Sequence, residues 1–284
     1  MKEHWTIPVI VSILILGTLG LSQNAYAPLE VVKLTASDAA AFDDFGVSVS
    51  ISGNTAIVGA QLDDDAGSNS GSAYIFVKSG TTWTQEAKLT ASDGATEVLF
   101  GGSVSISGNT VIVGARGDND GGAKSGSAYV FVKPSGGWAG SLNEDAKLTA
   151  SDAAALDVFG RAVSISGDTI IVGANSDDDG GTNSGSAYVF VKPGGGWAGS
   201  LNEDAKLTAS DAAAFDIFGQ FATISGDNVI VGARFNDDAG TNSGSAYIFD
   251  LAKEEICHKG KTITVSENAL AAHLKHADTL GPCS

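Results

Sequence analysis

The pentapeptide Lys-Leu-Thr-Ala-Ser occurs four times in this chain of 284 residues, and the repetition constrains the fold more than any other feature. The copies begin at Lys33, Lys88, Lys147 and Lys206, so they lie 55 to 59 residues apart. Each copy continues with a Phe-Gly pair, an alternating Ser/Ile stretch, a Val-Gly-Ala segment, an acidic loop and Gly-Ser-Ala-Tyr. A repeat of this length with several strand patterns is typical of a β-propeller blade.

Four strands are predicted in each unit, and in the first unit they cover residues 47–52, 55–60, 73–78 and 83–91. Ser52-Gly53-Asn54 suits the turn of the first hairpin, because Gly and Asn tolerate a positive φ. The 37 glycines also favour short strands joined by turns. We therefore expect an all-β fold, a four-bladed β-propeller.

Aromatic residues recur in register with the units. The Phe-Gly phenylalanines are predicted to lie in the core between blades, and they are Phe45, Phe100, Phe159 and Phe218. Three tryptophans just before the fourth strand, Trp83, Trp138 and Trp197, are predicted to cap hairpins against the neighbouring blade. Stacking of these tryptophans on sugar rings is the alternative.

The two ends of the repeat array complement each other. The last copy stops after Ala246-Tyr247-Ile248-Phe249 and lacks a fourth strand, whereas the segment 29–35 is a spare strand at the start. Pairing of these two strands would close the ring and leave no exposed sheet edge. Closure with four blades is therefore predicted, and an open array or a partial ring that needs a partner is the alternative.

The first residues have the pattern of a signal peptide. Lys2 precedes an apolar run over 7–21, and Ala25-Tyr26-Ala27 is a small-x-small cleavage site. The apolar run is shorter than the roughly 20 residues that span a bilayer, which disfavours a retained anchor. We predict a signal peptide over 1–27, a propeller over 28–252 and a small module over 253–284, with no membrane span after cleavage and a secreted or cell-surface location.

The formal net charge of −17 limits the choice of partners. An acidic surface repels polyanions and attracts cations, so nucleic acid is not expected as a partner. Acidity that only keeps a secreted protein soluble is the alternative.

Each unit carries an acidic loop between the Val-Gly-Ala and Gly-Ser-Ala-Tyr segments. Oxygen-bearing side chains at alternate positions of a tight loop can wrap Ca²⁺, which takes six to eight oxygen ligands. The candidate ligands are Asp63, Asp65 and Asn69, then Asp118 and Asp120, then Asp177, Asp179 and Asn183, and finally Asn236, Asp238 and Asn242. Ordinary turns rich in Asp, Asn and Gly are the alternative.

The repeat over about 31–249 resembles the FG-GAP repeat of integrin α-subunit propellers. The resemblance implies a propeller with calcium in these loops, with Asp63, Asp65 and Asn69 as side-chain ligands and Gly67 as a carbonyl ligand in the first. Two departures concern the loop: Gly replaces the family's fifth-position Asp and its ninth-position carboxylate. In addition, the usual Pro after Gly-Ala is replaced by Gln61, Arg116, Asn175 or Arg234, and there are four copies where well-known members have seven blades.

Both cysteines and three of the four histidines lie in the last 28 residues or so of the chain. Cys257 and Cys283 are predicted to form a disulfide, as expected for a small extracellular segment. A short helix ending at Ala277 would place His273 and His276 on one face, and with His258 they form a candidate Zn²⁺ or copper site. The segment also resembles a Cys-His…His-x-x-His…Cys module of other secreted prokaryotic proteins, which implies no particular activity.

No arrangement of residues typical of catalysis is visible, and the repeats contain no histidine. Most acids follow the repeat, whereas catalytic residues usually break it. The leading hypothesis is a calcium-binding, non-catalytic binding or adhesion module for an extracellular protein or glycan. The alternatives are an extracellular hydrolase or metal-dependent enzyme and a structural envelope or matrix protein. The sequence does not determine the oligomeric state.

Overall fold

A computed structural model describes residues 30–266 and 279–280, and every regular element in this part of the chain is a β-strand. The signal peptide predicted over 1–27 lies outside the described residues. Residues from Leu34 onward belong to one compact unit.

The strands are β1 (Phe45–Ser52), β2 (Thr55–Ala60), β3 (Ser72–Ser79), β4 (Thr82–Leu89), β5 (Phe100–Ser107), β6 (Thr110–Ala115), β7 (Ser127–Val132), β8 (Gly140–Leu142), β9 (Ala146–Leu148), β10 (Ala162–Ser166), β11 (Thr169–Ala174), β12 (Ser186–Val191), β13 (Gly199–Leu201), β14 (Ala205–Leu207), β15 (Phe218–Ser225), β16 (Asn228–Ala233), β17 (Ser245–Asp250), β18 (Lys253–His258), β19 (Lys261–Ser266) and β20 (Thr279–Leu280).

The first unit is an antiparallel meander, which confirms the four strands predicted for it. β1, β2, β3 and β4 pair in sequence order, and Tyr74 on β3 lies opposite Lys88 on β4. The Lys-Leu-Thr motif of the second copy thus ends the sheet of the first. We call the four sheets unit 1 (β1–β4), unit 2 (β5, β6, β7 and β9), unit 3 (β10, β11, β12 and β14) and unit 4 (β15–β17).

Two short strands link neighbouring units. β8 precedes the outer strand of unit 2 but pairs in parallel with β4 of unit 1, and β13 pairs in the same way with β9 of unit 2. Each of these strands covers an outer edge that would otherwise present unpaired backbone groups.

The units pack face to face, and each junction uses the same positions of the repeat. We call the side of a unit that meets the preceding unit its front and the opposite side its back. At the first junction, the back of unit 1 contributes Ile57, Ala73 and Ile75, and the front of unit 2 contributes Val104, Ile106, Val111, Val113, Tyr129 and Phe131. Equivalent residues form the clusters between units 2 and 3 and between units 3 and 4.

The glycines of the repeat allow this close packing of backbones. A Cβ placed on Gly59 of the Val-Gly-Ala segment would lie 1.9 Å from the carbonyl oxygen of Gly101, in the Phe-Gly pair of the next unit. Gly114 and Gly173 meet Gly160 and Gly219 in the same way. The Phe-Gly and Val-Gly-Ala motifs therefore recur together because they form two sides of one contact.

The aromatic predictions are confirmed for units 2, 3 and 4, whereas Phe45 and Trp83 of unit 1 are only partly buried, on its front, and lie at no junction between units. Phe100, Phe159 and Phe218 are fully buried, and each makes edge-to-face contacts with a Tyr and a Phe of its own unit. Trp138 and Trp197 are buried in the clusters between units. These tryptophans thus stabilise the junctions and are not displayed for stacking on a ligand.

The predicted closure by the N-terminal strand is not seen. Residues 30–36 form no strand, and unit 4 contains three strands with β17 at its outer edge. Val49 and Ile51 on the front of unit 1 are exposed, as are Ile230 and Ile248 on the back of unit 4. Because both end faces are exposed, they do not pack against each other, and the array is open.

The C-terminal segment contains a small sheet. β18 pairs antiparallel with both β19 and β20, giving the order β19-β18-β20. The helix predicted to end at Ala277 falls on residues 267–278, which lie outside the described residues, and no helix is present in the part of the chain that the structure describes.

Candidate functional sites of the array

The acidic loop of unit 1 is a tight turn that aims its first aspartate inward. The backbone N–H of Gly71 donates to the carbonyl of Asp63 over 2.8 Å, which closes the loop. The Asp63 carboxylate is buried, and it accepts hydrogen bonds from the backbone N–H of Asp65 and from the Tyr74 hydroxyl, the latter 2.6 Å away. The loop sequence therefore fixes Asp63 against the third strand.

The cation at this loop is a lysine side chain. The Nζ atom of Lys88, on β4, lies 2.7 Å from Asp38 Oδ2 and 3.2 Å from Asp63 Oδ2, and it also pairs with Asp65. The same ammonium lies 5.2 Å from the centre of the Tyr74 ring, in a cation–π contact. One ammonium thus pairs with carboxylates from the loop and from the Ser-Asp stretch.

Units 2 and 3 repeat this arrangement. In unit 2, Lys147 lies 2.6 Å from Asp93, 3.0 Å from Asp118 and 2.5 Å from Asp120. In unit 3 the corresponding lysine is Lys206, and its partners are Asp152, Asp177 and Asp179. Each lysine belongs to the Lys-Leu-Thr-Ala-Ser motif, which gives that motif an electrostatic role.

The lysines also change the titration of their partners. Burial would raise the pKa of the Asp93 carboxyl, but hydrogen bonds from Lys147 and Tyr129 outweigh it and hold this pKa below its usual value. Burial would likewise lower the pKa of Lys147, but hydrogen bonds to Asp120, Asp93 and Asp118 raise it above its usual value. The ion pairs therefore persist throughout the neutral range of pH.

The structure brings together only part of each predicted calcium ligand set. Asp63 and Asp65 lie together with Asp38, whereas Asn69 donates its side-chain amide to Glu97 Oε1 over 2.7 Å. The amide-bearing residues Asn69, Asn183 and Asn242, like Lys124 in unit 2, have a positive φ and shape the turn. The Ser-Asp aspartates, which the repeat alone did not mark as ligands, complete the triads.

Calcium in these triads stays a prediction, since the carboxylates could hold either a metal ion or a lysine ammonium. The three carboxylates of each triad lie within 4.8 Å of one another, close enough to hold a metal ion. However, the position among them is taken by the lysine ammonium in units 1, 2 and 3. A calcium ion at this position would require the lysine to leave its buried carboxylate partners.

Unit 4 has the same loop without the lysine. Asn236 takes the place of the first aspartate, and the Tyr247 hydroxyl donates to Asp211 over 2.7 Å. Among the described residues, no lysine pairs with Asp211 or Asp238. The pKa of Asp238 is raised, chiefly by its hydrogen bond to Asp211.

A second site lies where the innermost strands of all four units converge. The strands enclose an open cavity of about 420 Å³. Its lining residues are Val47, Ser48, Gly102, Ser103, Val104, Arg161, Ala162, Val163, Gln220, Phe221 and Ala222. A cavity of this size is within the range of about 300–1,000 Å³ that is usual for small ligands.

One arginine lines this cavity and a second lies beside it. Arg161 is a lining residue, Arg116 lies next to the lining residue Gly102, and the third arginine of the chain, Arg234, is exposed. Burial lowers the pKa of Arg116, and the charge of Arg161 lowers it further. Arg116 donates to Gln61 over 2.7 Å, and Gln61 donates to Asp44, whereas Arg161 has no side-chain partner among the described residues.

The cavity also contains an unpaired acceptor. Gln220 is 7% exposed, and its Oε1 atom has no hydrogen-bond partner in the described part of the chain. A buried polar atom of this kind is costly unless a ligand or solvent pairs with it. The cavity thus offers a positive charge and an acceptor in a chain that is otherwise strongly acidic.

Sequence analysis did not identify these cavity residues. Arg116 and Asn175 were noted only because they replace the family's usual Pro. A usable signal exists, since all three arginines of the chain fall at only two positions of the repeat. Their convergence depends on how the units pack, which a linear sequence does not show.

The residues proposed for the C-terminal module are only partly described. His258 ends β18, and Cys257 carries no free thiol. Cys283, His273 and His276 lie outside the described residues. The disulfide between Cys257 and Cys283 and the Zn²⁺ or copper site therefore stay predictions.

The fold and the repeated loop define an all-β repeat protein built from four antiparallel sheets. The FG-GAP repeat family matches residues 29–76, 83–131, 142–190 and 201–249. These matches cover more than half of the chain, so it belongs to the FG-GAP repeat family, whose members are typically extracellular binding or adhesion modules. No curated protein is significantly similar to the chain. Within the described residues, no helix has the length and apolar character needed to cross a membrane.

Proposed function

We propose that this chain is a secreted or cell-surface, non-catalytic binding module that recognises a carboxylated saccharide in the cavity between its inner strands. The observation that carries the proposal is the position of Arg161, whose guanidinium lines the cavity without a side-chain partner among the described residues. A guanidinium pairs with a carboxylate through two parallel hydrogen bonds, which gives both affinity and orientation.

Local charge supports an anionic ligand despite the net charge of −17. In units 1–3 a lysine offsets one of the three negative charges of each acidic triad, whereas the charges of Arg116 and Arg161 disfavour each other, as the lowered pKa of Arg116 indicates. A carboxylate between them would relieve this repulsion. The binding energy would therefore come from charges that the protein alone leaves only partly compensated.

The unpaired Gln220 Oε1 favours a ligand with a hydroxyl close to its acid group. A uronic acid carries a carboxylate and several hydroxyls on one ring, so it can pair with Arg161 and Gln220 together. An acidic peptide offers the carboxylate, but fewer donors at a fixed distance from it. This difference favours a glycan over a protein as the ligand.

The lysine-bound loops give the array its rigidity in this proposal. Lys88, Lys147 and Lys206 each join an outer strand to a loop and to the Ser-Asp stretch before the first strand. Calcium is the second candidate for this role, and the closeness of the three carboxylates in each triad favours it. The two interpretations differ in whether a chelator destabilises the protein.

Binding of uronate oligosaccharides, measured by isothermal titration calorimetry at low and high salt, tests the proposal. Replacement of Arg161 by Gln should weaken binding about 10- to 100-fold, because a charge-assisted hydrogen bond contributes roughly 1.5–3 kcal/mol. Arg234→Gln is the matched control, since Arg234 is exposed and stacks on Phe235. This control should bind like the unaltered chain.

Three results would contradict the proposal. Equal binding by the Arg161→Gln and Arg234→Gln variants would place the ligand elsewhere. Failure of every uronate oligosaccharide to bind would exclude this ligand class. Binding of acidic peptides instead, with loss on Arg161→Gln, would retain the cavity but exclude a saccharide.

A further inference from the structure

The two end faces of the array are copies of faces that are buried inside it. On the front of unit 1, Val49 is 67% exposed and Ile51 is 63% exposed, whereas Val104 and Ile106 at the same positions of unit 2 are buried. On the back of unit 4, Ile248 is 74% exposed, and its equivalent in unit 1, Ile75, is fully buried. Each exposed face thus has a known mate elsewhere in the chain.

The junctions also share a set of hydrogen bonds. Ser48, Ser50 and Ser52 on the inner strand of unit 1 accept from the backbone N–H groups of the next inner strand, at 3.0 to 3.2 Å. Serines of unit 2 do the same for unit 3, and Ser164 and Ser166 do so for unit 4. Thr223 and Ser225 hold the corresponding positions in unit 4, so its back retains most of the acceptors of a junction.

Charge complementarity links the same two ends. Lys33 is the first lysine of the Lys-Leu-Thr-Ala-Ser series, whose other members pair with the acidic loops of units 1, 2 and 3. Unit 4 has the loop but no lysine on it among the described residues. Among the described residues, Lys33 makes no ion pair and the Asp211–Asp238 pair has no lysine, so their charges are complementary.

We propose that a second copy of this chain supplies the missing half, by packing the front of its unit 1 on the back of unit 4 and adding its segment 30–35 to β17. Within one copy, Leu34 and Ala36 already pack on the front of unit 1, as Leu89 and Ala91 pack on the front of unit 2. The repeat register places Lys33 of the second copy opposite Tyr247, and Val32 opposite Ile248.

The contact is head to tail, because it joins two different faces. Such contacts form a ring if the rotation closes and a filament if it does not. Two copies provide eight units, within the four to eight blades of known propellers. A two-chain ring would bury both pairs of end faces and leave neither β17 with a free edge.

Cysteine cross-linking distinguishes a second copy from closure within one chain. Val32→Cys in one preparation and Ile248→Cys in another, tagged to differ in mass, are mixed and oxidised gently. A covalent heterodimer on a non-reducing gel is the expected result, and it should greatly exceed the product of either variant alone. Ser79→Cys, at an exposed strand end, replaces Ile248→Cys in the control mixture and should give only background.

A double variant that carries both cysteines on one chain tests closure of the ring within a single chain. A cross-linked monomer from the double variant, with no heterodimer from the mixture, would overturn the proposal in favour of a closed single-chain ring. Absence of both products would overturn it as well, provided that circular dichroism shows the variants to be folded.

Analytical ultracentrifugation of the chain without cysteine substitutions gives a second measurement, the state of association. We expect two-chain or longer assemblies at micromolar concentration, at least 10-fold weaker association for Lys33→Glu, and little change for Lys78→Glu. A monomer at every concentration, or equal weakening by both substitutions, would contradict the proposal.

Discussion

Replacement of Lys147 by Met removes the ammonium from the triad of unit 2 while keeping a side chain of similar length. Asp118 and the lysine stem are largely buried, whereas Asp120 is about half exposed. Removal of one partner of a buried ion pair lowers the unfolding free energy by about 3–5 kcal/mol. Because Asp120 is about half exposed and solvent weakens its ion pair, we expect a loss at the lower end of this range, about 3 kcal/mol. For a chain of this size, the melting temperature should fall by roughly 6–12 °C.

The loss should depend on pH in a defined direction. In the unaltered chain the pKa of Asp93 is held low, so its stabilising effect is present above the unfolded pKa of about 3.9 and is lost as the pH falls below it. In the variant the carboxylates have no cation, and protonation relieves their repulsion. The difference between the two proteins should therefore shrink from pH 7 towards pH 4.

Chemical denaturation of both proteins at several pH values measures this effect. Lys133→Met is the matched control, because Lys133 is in the same unit and makes no ion pair among the described residues. Millimolar Ca²⁺ should partly restore the stability of Lys147→Met, since the emptied triad can then hold a metal ion, and should leave the unaltered chain unchanged. A loss no larger than that of the control would refute the role of Lys147.

Other substitutions test separate parts of the structure. Burial raises the pKa of Asp157 to about 6, with repulsion from Asp177 and Asp152 adding to it, so the folded state loses stability as the pH rises from about 4 to 6. Asp157→Asn should remove this decline, and denaturant titration should show it to be roughly 1–2 kcal/mol more stable than the unaltered chain at pH 7. A decline preserved in the variant would contradict the raised pKa of Asp157. Gly114→Ala places a Cβ 2.1 Å from the Gly160 carbonyl oxygen and should lower the unfolding free energy by about 2–4 kcal/mol. The control Gly136→Ala, whose Cβ would meet no neighbouring atom, should have little effect. Equal melting temperatures of the two variants would show that the junction accommodates the added Cβ.

The repeat predicted the strands of each unit well, because alternation and turn residues act locally. The strand predicted over 55–60 is β2 itself, and three of the four Phe-Gly phenylalanines, all but Phe45, lie in the core between units as expected. These features depend on residues close in sequence and on a pattern repeated four times.

The cation at the loops was harder to predict. Asp63 and Asp65 suggest a metal ion when they are viewed alone, but their partner is Lys88, which lies more than 20 residues further on and in the next copy of the motif. Only the pairing of β3 with β4 brings that lysine to the loop. The repeat contained the answer, since Lys and Asp recur together in every complete copy.

The ends of the array and the cavity depend on geometry that no single unit specifies. Complementary ends indicate that a contact exists, but the angle between units decides whether one chain or two satisfy it. Arg161 and Gln220 meet at the cavity for the same reason, because the junction between units 3 and 4 sets the distance between them.

The melting temperature of the protein in millimolar calcium and in excess chelator tests the central claim, that lysines hold the acidic loops from within. The account predicts the same melting temperature in both conditions, because the ammonium groups of Lys88, Lys147 and Lys206 are part of the chain. A fall of several degrees on chelation, reversed by added calcium, would contradict it and would favour metal ions in these loops.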